Sequence, residues 1–397
     1  KIHRLRVISL YEADLNFLLG LKWRTAMQKA RDEDTIHRSQ YGGVPGREAQ
    51  TVTLLEELRL DYSLLTRTPY SNLDNDMTAC YDRILMPISS MASKSFGIHR
   101  DIVFVHAQTL EEATYKLKIS NKVTEEGYKH STKLPIYGSG QGAANSPAVW
   151  AFISSKLFKA HTSRANGCNF KSPEGDISLH MAVIGFVDDS TIMTDGHAQE
   201  PVEKLLQRMQ EDGELWSNLL FSSGQRLNLQ KSGYHVIFYR FKPTGEPIMK
   251  HDCSHQVALR NAQNQIIPIQ AKTIFQPRKN LGHHKAPAGI YKAQAEAITQ
   301  KAKSISDAII RTKATRSETR MLYESVFRPA TEYTLAQSFI PTTTLSIIEK
   351  KHLPRLYAKC GYNRNTSRAI LQGPAELGGA GFIPLETIAG SGYVTHF

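Results

Sequence analysis

Two adjacent aspartates, Asp188 and Asp189, stand in the middle of an apolar, β-branched run, Gly185-Phe-Val-Asp-Asp-Ser-Thr-Ile-Met193. An ionised carboxylate in a buried strand costs on the order of several kcal/mol unless it is neutralised. A hairpin turn reduces that cost, because both carboxylates then project at the rim of a sheet while Val187 and Ile192 stay buried. A divalent cation is the usual neutraliser, and Mg²⁺ prefers carboxylate oxygens together with substrate phosphates. The alternative is a solvated turn, since a lone Asp-Asp pair is a weak signal.

A third carboxylate stands at the end of a second predicted strand. Tyr70–Asp76 has the pattern of a strand, and Tyr81–Phe96 that of a helix that follows it. If this strand lies beside the hairpin, Asp76 and Asp188 can share two metal ions about 3.5–4 Å apart. Such a pair of ions aligns an attacking hydroxyl with a leaving pyrophosphate. We interpret Asp82 as a structural residue at the start of the helix.

A glycine-containing loop, 138–142, precedes a helix predicted from Ser146 to Ala160. Small side chains and free backbone N–H groups at a helix N-terminus can receive a nucleotide or a template base. Ser146 is a natural N-cap, with Pro147 in the first turn of the helix. An ordinary capped loop would have the same composition.

The elements that must position these residues follow from periodicity. Helices are expected at Leu15–Lys29, Ala49–Leu65, Val202–Phe221 and, as a series, from Ala288 onward. Strands are expected at Arg6–Leu10 and Tyr234–Phe241, and hairpins pair 114–120 with 132–136, 180–187 with 190–194 about an Asp188-Asp189 turn, and the two arms of 257–269.

The charge of the chain indicates a polyanionic partner. Its 397 residues carry a net charge of +12, which favours nucleic acid, with a generic basic enzyme as the alternative. Residues 286–360 hold twelve Lys or Arg against six Asp or Glu, a local excess of +6. No apolar run reaches the length of a membrane span.

Cysteines and histidines give no separate metal or disulfide signal. The four cysteines form no Cys-x-x-Cys pair, so free thiols in a reducing compartment are expected. His251-Asp-Cys-Ser-His255 is too tightly spaced for a tetrahedral zinc site and is interpreted as a solvated loop. His283-His284 is interpreted as a surface turn.

Taken in order, these motifs and several others resemble those of reverse transcriptases. The segments that carry the resemblance are Arg6-Val-Ile-Ser-Leu10, Asp76-Met-Thr-Ala-Cys-Tyr-Asp82, Gln141-Gly-Ala-Ala-Asn-Ser-Pro-Ala148, Phe186-Val-Asp-Asp189, Asn228-Leu-Gln-Lys231 and Asn280-Leu-Gly282. They are similar to the family's Arg-Pro-Ile-Ser-Leu, Asp-x-x-x-Ala/Cys-Phe/Tyr-Asp, Gln-Gly-x-x-x-Ser-Pro, Tyr/Phe-x-Asp-Asp, Asn-x-x-Lys and Leu-Gly motifs.

The resemblance leans toward the non-LTR (LINE-like) retrotransposon type. The features in favour are the Leu-Gly turn, Gln40-Tyr-Gly-Gly43 and the late Gly378-Gly-Ala-Gly-Phe382. The chain departs from the family where Val7 replaces the usual Pro and Gly43 the usual Phe.

The resemblance implies an α+β fold of the right-hand polymerase class, with fingers, a palm built on an antiparallel sheet, and a helical thumb. The expected domains are fingers at 1–70 (truncated at the N-terminus) and 96–137, palm at 71–95 and 138–285, thumb at 286–360, and a C-terminal extension at 361–397.

The resemblance also implies roles for individual residues. Asp76, Asp188 and Asp189 would be catalytic and would bind metal with help from the carbonyl of Met77. Tyr81 would exclude a 2′-hydroxyl beneath the sugar. Other nucleotide contacts are implied for Arg6, Gln141, Gly142 and Lys231, the last near the pyrophosphate, and Leu281 and Gly282 would support the primer end.

The activity so implied is RNA-directed DNA polymerisation, with dNTPs, a DNA primer, an RNA template and two Mg²⁺ ions, for which Mn²⁺ could substitute. The expected location is the nucleus or cytoplasm of a eukaryotic host, without a membrane. Two alternatives stay open: a catalytically inactive or domesticated nucleic-acid-binding protein, and an RNA-dependent RNA polymerase.

Overall fold

The computed structural model describes residues 8–131, 138–197, 200–250, 256–261 and 263–396. Arg6, the predicted strand 132–136 and His251–His255 lie outside these ranges. Contacts divide the chain into two compact units. The first unit comprises Lys1–Val52 and Asp61–Thr273, and the second comprises Thr53–Leu60 and Ile274–Phe397.

The first unit holds most of the strands and the helices that pack on them. Its helices are α1 (Ala13–Asp32), α2 (Ala49–Thr66, whose middle belongs to the second unit), α3 (Met86–Ser95), α4 (Arg100–Glu112), α5 (Ser146–Thr162) and α6 (Val202–Ser222). Its strands are β1 (Tyr70–Asp76), β2 (Lys118–Ile119), β3 (Lys122–Val123), β4 (Cys168–Lys171), β5 (Ser178–Met181), β6 (Val183–Phe186), β7 (Asp189–Asp195), β8 (Gly233–Phe241), β9 (Pro247–Lys250), β10 (Ala258–Arg260), β11 (Ile266–Pro268) and β12 (Gln270–Ala271).

Among these described residues, a six-stranded sheet forms the centre of the first unit, in the order β12-β8-β1-β7-β6 with β9 paired to β8. Strand β1 is the middle strand and runs antiparallel to both β7 and β8. Because β1 pairs with β7 over all seven of its residues and with β8 over Tyr70–Asp74, the sheet fixes the position of its last residue, Asp76.

Helices α5 and α6 bury their apolar faces in the core beside this sheet. Phe158 of α5 stacks on Trp216 of α6 with ring centroids 5.1 Å apart, and both side chains are buried. Gly213 lets α6 approach the sheet, since a Cβ there would lie 2.8 Å from Cδ2 of Leu73. Burying each large aromatic ring contributes about 2–3 kcal/mol, so this layer stabilises the sheet.

A buried carboxylate ties α6 to β7. Asp212, 1% exposed, accepts hydrogen bonds from the backbone N–H of Asn166 (2.8 Å) and Gly167 (3.2 Å). It also accepts from the side-chain hydroxyl of Thr194 at 2.9 Å. A charged acceptor with several donors can remain buried. Asp212 therefore holds β7 in register against α6 from within the core.

The second unit is mainly helical and has its own core. Its elements are the hairpin β13 (Arg278–Asn280) and β14 (His283–Lys285), followed by α7 (Lys292–Arg311), α8 (Arg316–Leu322), α9 (Arg328–Glu332), α10 (Thr342–Lys359), α11 (Arg368–Gln372) and α12 (Leu385–His396). Ile298, Phe327, Leu356 and Phe382 are among the buried residues that these helices bring together. No described helix is long and apolar enough to cross a membrane.

Most predicted elements are confirmed, and three are wrong in detail. The helix predicted at Tyr81–Phe96 is a single 3₁₀ turn at Tyr81–Arg83 and then α3, whose first turn contains Pro87. The described part of the predicted strand Arg6–Leu10 is irregular. Residues 114–120 pair with 122–128 through β2–β3 and a Tyr115–Tyr128 bridge, so the chain turns back earlier than predicted, at residues 120–121; the predicted partner 132–136 lies outside the described residues.

Among the described cysteines, Cys80 and Cys360 are free thiols, and the Sγ of Cys168 donates to the carbonyl of Met181 at 3.0 Å.

Candidate active site at the ends of strands β1 and β7

The acidic residues meet at one edge of the central sheet. Asp76 ends β1, and the antiparallel register pairs it with Asp189, the first residue of β7. Phe186 pairs with Asp189 across the β6–β7 hairpin, so the turn consists of Val187 and Asp188. The turn was predicted one residue later, at Asp188-Asp189. The register corrects this, because Asp189 is already part of the strand opposite Asp76.

Lys231 brings a cation to this group of carboxylates. Its Nζ donates to Oδ2 of Asp76 at 2.8 Å, and Nδ2 of Asn228 lies 3.5 Å from the same oxygen. The sequence left Lys231 either near a departing pyrophosphate or on the surface. The structure places it on the carboxylate of Asp76.

The segment that carries Lys231 is attached to β1 through its backbone. The N–H of Asn228 donates to the carbonyl of Asp76 at 2.8 Å, and the N–H of Thr78 donates to the carbonyl of Arg226 at 2.9 Å. These bonds flank a bridge between Met77 and Leu227. These backbone bonds therefore fix the main chain near Lys231, and its side chain extends from there to Asp76.

The fit of a metal can be judged from the donors. Among the described residues no group of three or more His, Cys, Asp or Glu side chains is arranged so that it could hold an ion. A Mg²⁺ site needs fewer protein ligands, since one or two carboxylates and substrate phosphates suffice. Asp76 and its register partner Asp189, with Asp188 next in the chain, match that smaller set, and the ammonium of Lys231 already shows that a cation is accommodated at Asp76.

Tyr81 lies close to the turn aspartate. Ala79 has a φ of +51°, which bends the chain between β1 and the 3₁₀ turn. Tyr81 is half-buried against the core, and burial, followed by the charges of Cys80 and Asp188, raises the pKa of its phenol. Burial and the charge of Asp188 also raise the pKa of the Cys80 thiol. The charge of Asp188 thus raises the pKa of two residues in the motif that begins at Asp76.

The glycine loop is held in place by the segment that precedes α1. The N–H of Ser9 donates to the carbonyl of Gln141 at 2.6 Å. A Cβ at Gly142 would lie 2.3 Å from the carbonyl oxygen of Ser9, and one at Gly140 would lie 2.2 Å from the hydroxyl of Tyr11. Only glycine fits at either position, and both have positive φ.

One residue of this loop differs from its predicted position. Ser146 is the first residue of α5 and not its N-cap, and its hydroxyl donates to the carbonyls of Ser139 and Gly140. The start of the loop is tied to the 3₁₀ turn that contains Asp82, because the N–H of Ser139 donates to the carbonyl of Tyr81 at 2.9 Å. Burial raises the pKa of the Asp82 carboxylate, and the backbone of Gln141 partly offsets that shift.

In the second unit, Leu281 and Gly282 form the turn of the β13–β14 hairpin, with φ of +47° and +83°. The hydroxyl of Tyr333 donates to the carbonyl of Leu281 at 2.9 Å. The prediction that His283 is a surface residue is wrong: it is 3% exposed, and burial lowers its pKa to about 4. Strand alternation explains the error, because neighbouring residues of a hairpin point to opposite faces.

Sequence reasoning missed the role of Asn228 in tying the site together. The Asn-x-x-Lys spacing was a signal for Asn228, but nothing in the sequence shows that its backbone pairs with Asp76. Arg6 lies outside the described residues.

The central antiparallel sheet carries Asp76 and Asp189 at adjacent strand ends, and the glycine loop and α5 lie between these two aspartates in the chain. The chain belongs to the reverse transcriptase (RNA-dependent DNA polymerase) family, whose model matches residues 6–266. Family membership confirms the predicted α+β fold of the right-hand polymerase class.

Solved structures similar to this chain include telomerases of Candida. Apo telomerase from Candida tropicalis truncated from its C-terminal domain is 14% identical, with a TM-score of 0.36, over 64% of this chain and 45% of that one. Telomerase from Candida tropicalis in complex with a TWJ fragment of telomeric RNA is 13% identical, with a TM-score of 0.36, over 96% of this chain and 56% of that one. The chain thus spans about half the length of these proteins, and the assignment rests on the family model. A comparison with curated proteins found no significant match.

Proposed function

We infer that this chain is an RNA-directed DNA polymerase that extends a DNA primer on an RNA template with dNTPs. The observation that carries the proposal is the register of β1 and β7, which sets Asp76 against Asp189 with Asp188 in the adjoining turn. Family membership supports the polymerase class. The Gln40–Gly43 and Leu281–Gly282 motifs favour a non-LTR retroelement, acting in the nucleus or cytoplasm of a eukaryotic host.

In this proposal Asp76, Asp188 and Asp189, with the carbonyl of Met77, hold two Mg²⁺ ions. When bound, the ions supply charge neutralisation for the primer hydroxyl and the phosphates. The carboxylates orient these groups at the sheet edge, and most of the rate enhancement comes from positioning and electrostatics. Lys231, whose Nζ donates to Asp76 at 2.8 Å, would give a proton or a positive charge to the departing pyrophosphate.

The remaining residues would select and hold the substrates. Tyr81 would lie beneath the sugar, and Gln141 and Gly142 would line the nucleotide or template base, with Arg6 on the triphosphate. Leu281 and Gly282 would support the primer end. The domain limits that accompany these roles are those expected from the sequence, with the basic helices of 286–360 as a thumb on the duplex backbone.

Primer extension on poly(rA)/oligo(dT) tests the proposal. Wild type should extend with dTTP, not with UTP, and only with Mg²⁺ or Mn²⁺. Asp188→Asn and Asp76→Asn keep the side-chain shape and remove the charge, so each should reduce extension by about a thousandfold or more. Asp176→Asn, at an exposed loop residue, is the matched control and should leave the rate unchanged. Equal extension by wild type and Asp188→Asn would refute the proposal.

The alternative is a nucleic-acid-binding protein of retroelement origin without catalysis. The observation in its favour is the net charge of +12, which favours a nucleic-acid partner whether or not the chain is catalytic. A wild-type chain that binds the primer–template but does not extend it would establish this alternative. Extension with UTP in place of dTTP would establish an RNA polymerase.

A further inference from the structure

The turn that carries Asp188 is not one that its own sequence favours. Two-residue hairpin turns prefer Asn-Gly or Gly, since their residues adopt positive φ. Here Val187, a β-branched residue, has a φ of +57°. Such a conformation costs about 1–3 kcal/mol and persists where surrounding contacts impose it. Contacts from outside the hairpin must therefore hold this turn.

The loop Ser39–Gly43, between α1 and α2, lies against β6 through its backbone. The N–H of Gly185 donates to the carbonyl of Ser39 at 2.9 Å, and the N–H of Tyr41 donates to the carbonyl of Gly185 at 3.0 Å. These two bonds form a parallel bridge between Gln40 and Gly185. The loop thus extends the sheet by one residue next to the turn.

Gly42 brings this loop into direct contact with the turn. A Cβ at Gly42 would lie 2.3 Å from the backbone nitrogen of Val187, 2.6 Å from its Cγ2 and 3.0 Å from the carbonyl carbon of Phe186. Gly42 does not have a positive φ, so its backbone conformation would accept any residue. Close approach to the turn is the reason that only glycine fits.

Two side chains of α5, Ser154 and Trp150, hydrogen-bond to the loop and to the turn. Gln40 is fully buried, its Nε2 donates to the carbonyl of Gly42 at 2.7 Å, and its Oε1 accepts from the hydroxyl of Ser154 at 2.9 Å. Trp150, one helical turn before Ser154, donates from Nε1 to the carbonyl of Val187 at 2.6 Å. The same face of α5 therefore holds both the loop and the turn.

We propose that Gln40, Gly42 and Trp150 are positioning residues that form a clamp on the Val187–Asp188 turn and so fix Asp188 against Asp76 and Asp189. The clamp acts on the site through Val187. The inference rests on the proposed function for its catalytic consequence, and it also predicts that metal binding at Asp188 depends on the clamp.

Gly42→Ala tests the clamp. The methyl group must displace the turn, and a misplacement near 1 Å can cost about a hundredfold in kcat. We expect that loss together with a higher Mg²⁺ requirement and about tenfold weaker Mn²⁺ binding, a change of about 1.4 kcal/mol. Gly46→Ala is the matched control, in the same connection between α1 and α2: its φ of +76° makes alanine strained, but the nearest atom to a Cβ there is 3.6 Å away, on Arg31. It should lose stability while keeping wild-type kcat and metal binding.

Gln40→Met is the second variant, in case Gly42→Ala does not fold. It keeps the side-chain length, removes both hydrogen bonds, and should shift kcat and Mn²⁺ binding in the same direction by a smaller factor. Gln210→Met, which removes a half-buried amide that accepts from the N–H of Ala258, is its control. Folded clamp variants with wild-type kcat and Mg²⁺ dependence would overturn the inference.

Mn²⁺ binding, followed by electron paramagnetic resonance on the full chain, separates this inference from the proposed function. If wild type binds Mn²⁺ through Asp188 but extends no primer, the proposed function fails while the comparison of Gly42→Ala with wild type still decides the clamp. If extension is normal in wild type and in both clamp variants, the clamp alone fails.

Discussion

Lys231 is expected to weaken metal binding at Asp76 and to assist the departure of pyrophosphate. Its ammonium lies 2.8 Å from Oδ2 of Asp76, on a side chain that is 66% exposed. A cation in that position competes with a metal for the carboxylate. A metal bound at Asp76 would displace the ammonium, and the side chain would then be free to reach the phosphates of a substrate. Removing the ammonium should therefore raise the metal affinity and lower the rate of extension, so one variant can separate the two effects.

Lys231→Gln should bind Mn²⁺ about threefold more tightly, because an exposed ion pair is worth up to about 1 kcal/mol. It should also extend primers at least about tenfold more slowly, because the leaving pyrophosphate loses its cation. Titration with Mn²⁺ and single-turnover extension measure the two quantities. Lys242→Gln, which breaks the exposed pair with Glu246, is the control and should change neither. Weaker metal binding with an unchanged rate would contradict the competition.

Tyr81 is predicted to select the sugar. Its ring is half-buried against the core and close to Asp188, so it stands beside the place where a nucleotide would bind. Tyr81→Ala removes the ring and should raise the ratio of ribonucleotide to deoxynucleotide incorporation by about tenfold or more, equivalent to at least about 1.4 kcal/mol of steric exclusion. Tyr81→Phe keeps the ring and should keep wild-type discrimination. Unchanged discrimination in Tyr81→Ala, measured with dTTP and UTP, would refute the role.

At the scale of elements, the β13–β14 hairpin depends on a buried acid. Both carboxylate oxygens of Glu56 accept from Nδ2 of Asn280, at 3.0 and 3.1 Å, and Oε2 lies 2.8 Å from Nζ of Lys285. Asn280 ends β13 and Lys285 ends β14, so one carboxylate joins both arms of the hairpin. Glu56 of α2, more than two hundred residues earlier in the chain, therefore helps to fix the position of the Leu281–Gly282 turn.

Glu56→Gln should loosen this hairpin. It leaves the charge of Lys285, whose side chain is 14% exposed, without its nearest counter-ion, and breaking a buried pair costs about 3 kcal/mol. We expect a lower free energy of unfolding and faster dissociation of the primer–template, with the rate of a single nucleotide addition close to wild type. Glu324→Gln, which breaks an exposed pair with Arg320, is the control. A primer–template half-life equal to wild type would show that the hairpin does not support the primer.

The hydrophobic pattern of the sequence predicts those helices and strands whose boundaries are set by residues within or next to the element. The strand Tyr70–Asp76 and the helix beginning at Val202 were both predicted, since a polar strand end and an amphipathic stripe are local signals. The family motifs placed Asp76 and Asp188 in the same site. The predicted helix at Tyr81 failed because Ile84 and Leu85 are extended, so the 3₁₀ turn ends there and α3 begins afresh with Pro87 in its first turn.

What the sequence could not predict depends on contacts between distant residues. The turn was predicted at Asp188-Asp189, yet pairing of Asp189 with Asp76 draws it into β7. Gln40 and Gly42 were recognised only as marks of a subfamily, because their partners lie more than a hundred residues away. His283 was assigned to the surface because burial in a short hairpin is decided by Ser338 and its neighbours.

At the scale of the whole molecule, each unit buries a histidine that the fold keeps neutral. In the first unit His106, 2% exposed, contacts the Trp23 ring, and its Nε2 lies 3.2 Å from Nδ2 of Asn145. In the second unit the Nε2 of His283 lies 3.2 Å from the hydroxyl of Ser338, with Lys285, Glu56 and His284 as charged neighbours. Burial, the largest cause in both cases, lowers each pKa from 6.5 to about 4.

Both units should therefore lose stability in mild acid. Between pH 6.5 and about 4 the unfolded chain binds protons that the folded chain does not, so the free energy of unfolding falls as pH falls. The slope is about 1.4 kcal/mol per pH unit for each histidine, and it vanishes above pH 6.5. Urea unfolding at pH 7.5, 6.5 and 5.5 measures it. Burial also lowers the pKa values of His37 and His161 in the first unit, so His106→Gln should reduce the slope of that unit by one histidine's share without abolishing it. His99→Gln, at an exposed position, should leave the slope unchanged. If His106→Gln kept the wild-type slope, the acid sensitivity of the first unit would have to come from other groups, and the neutral state of His106 would not contribute to its fold.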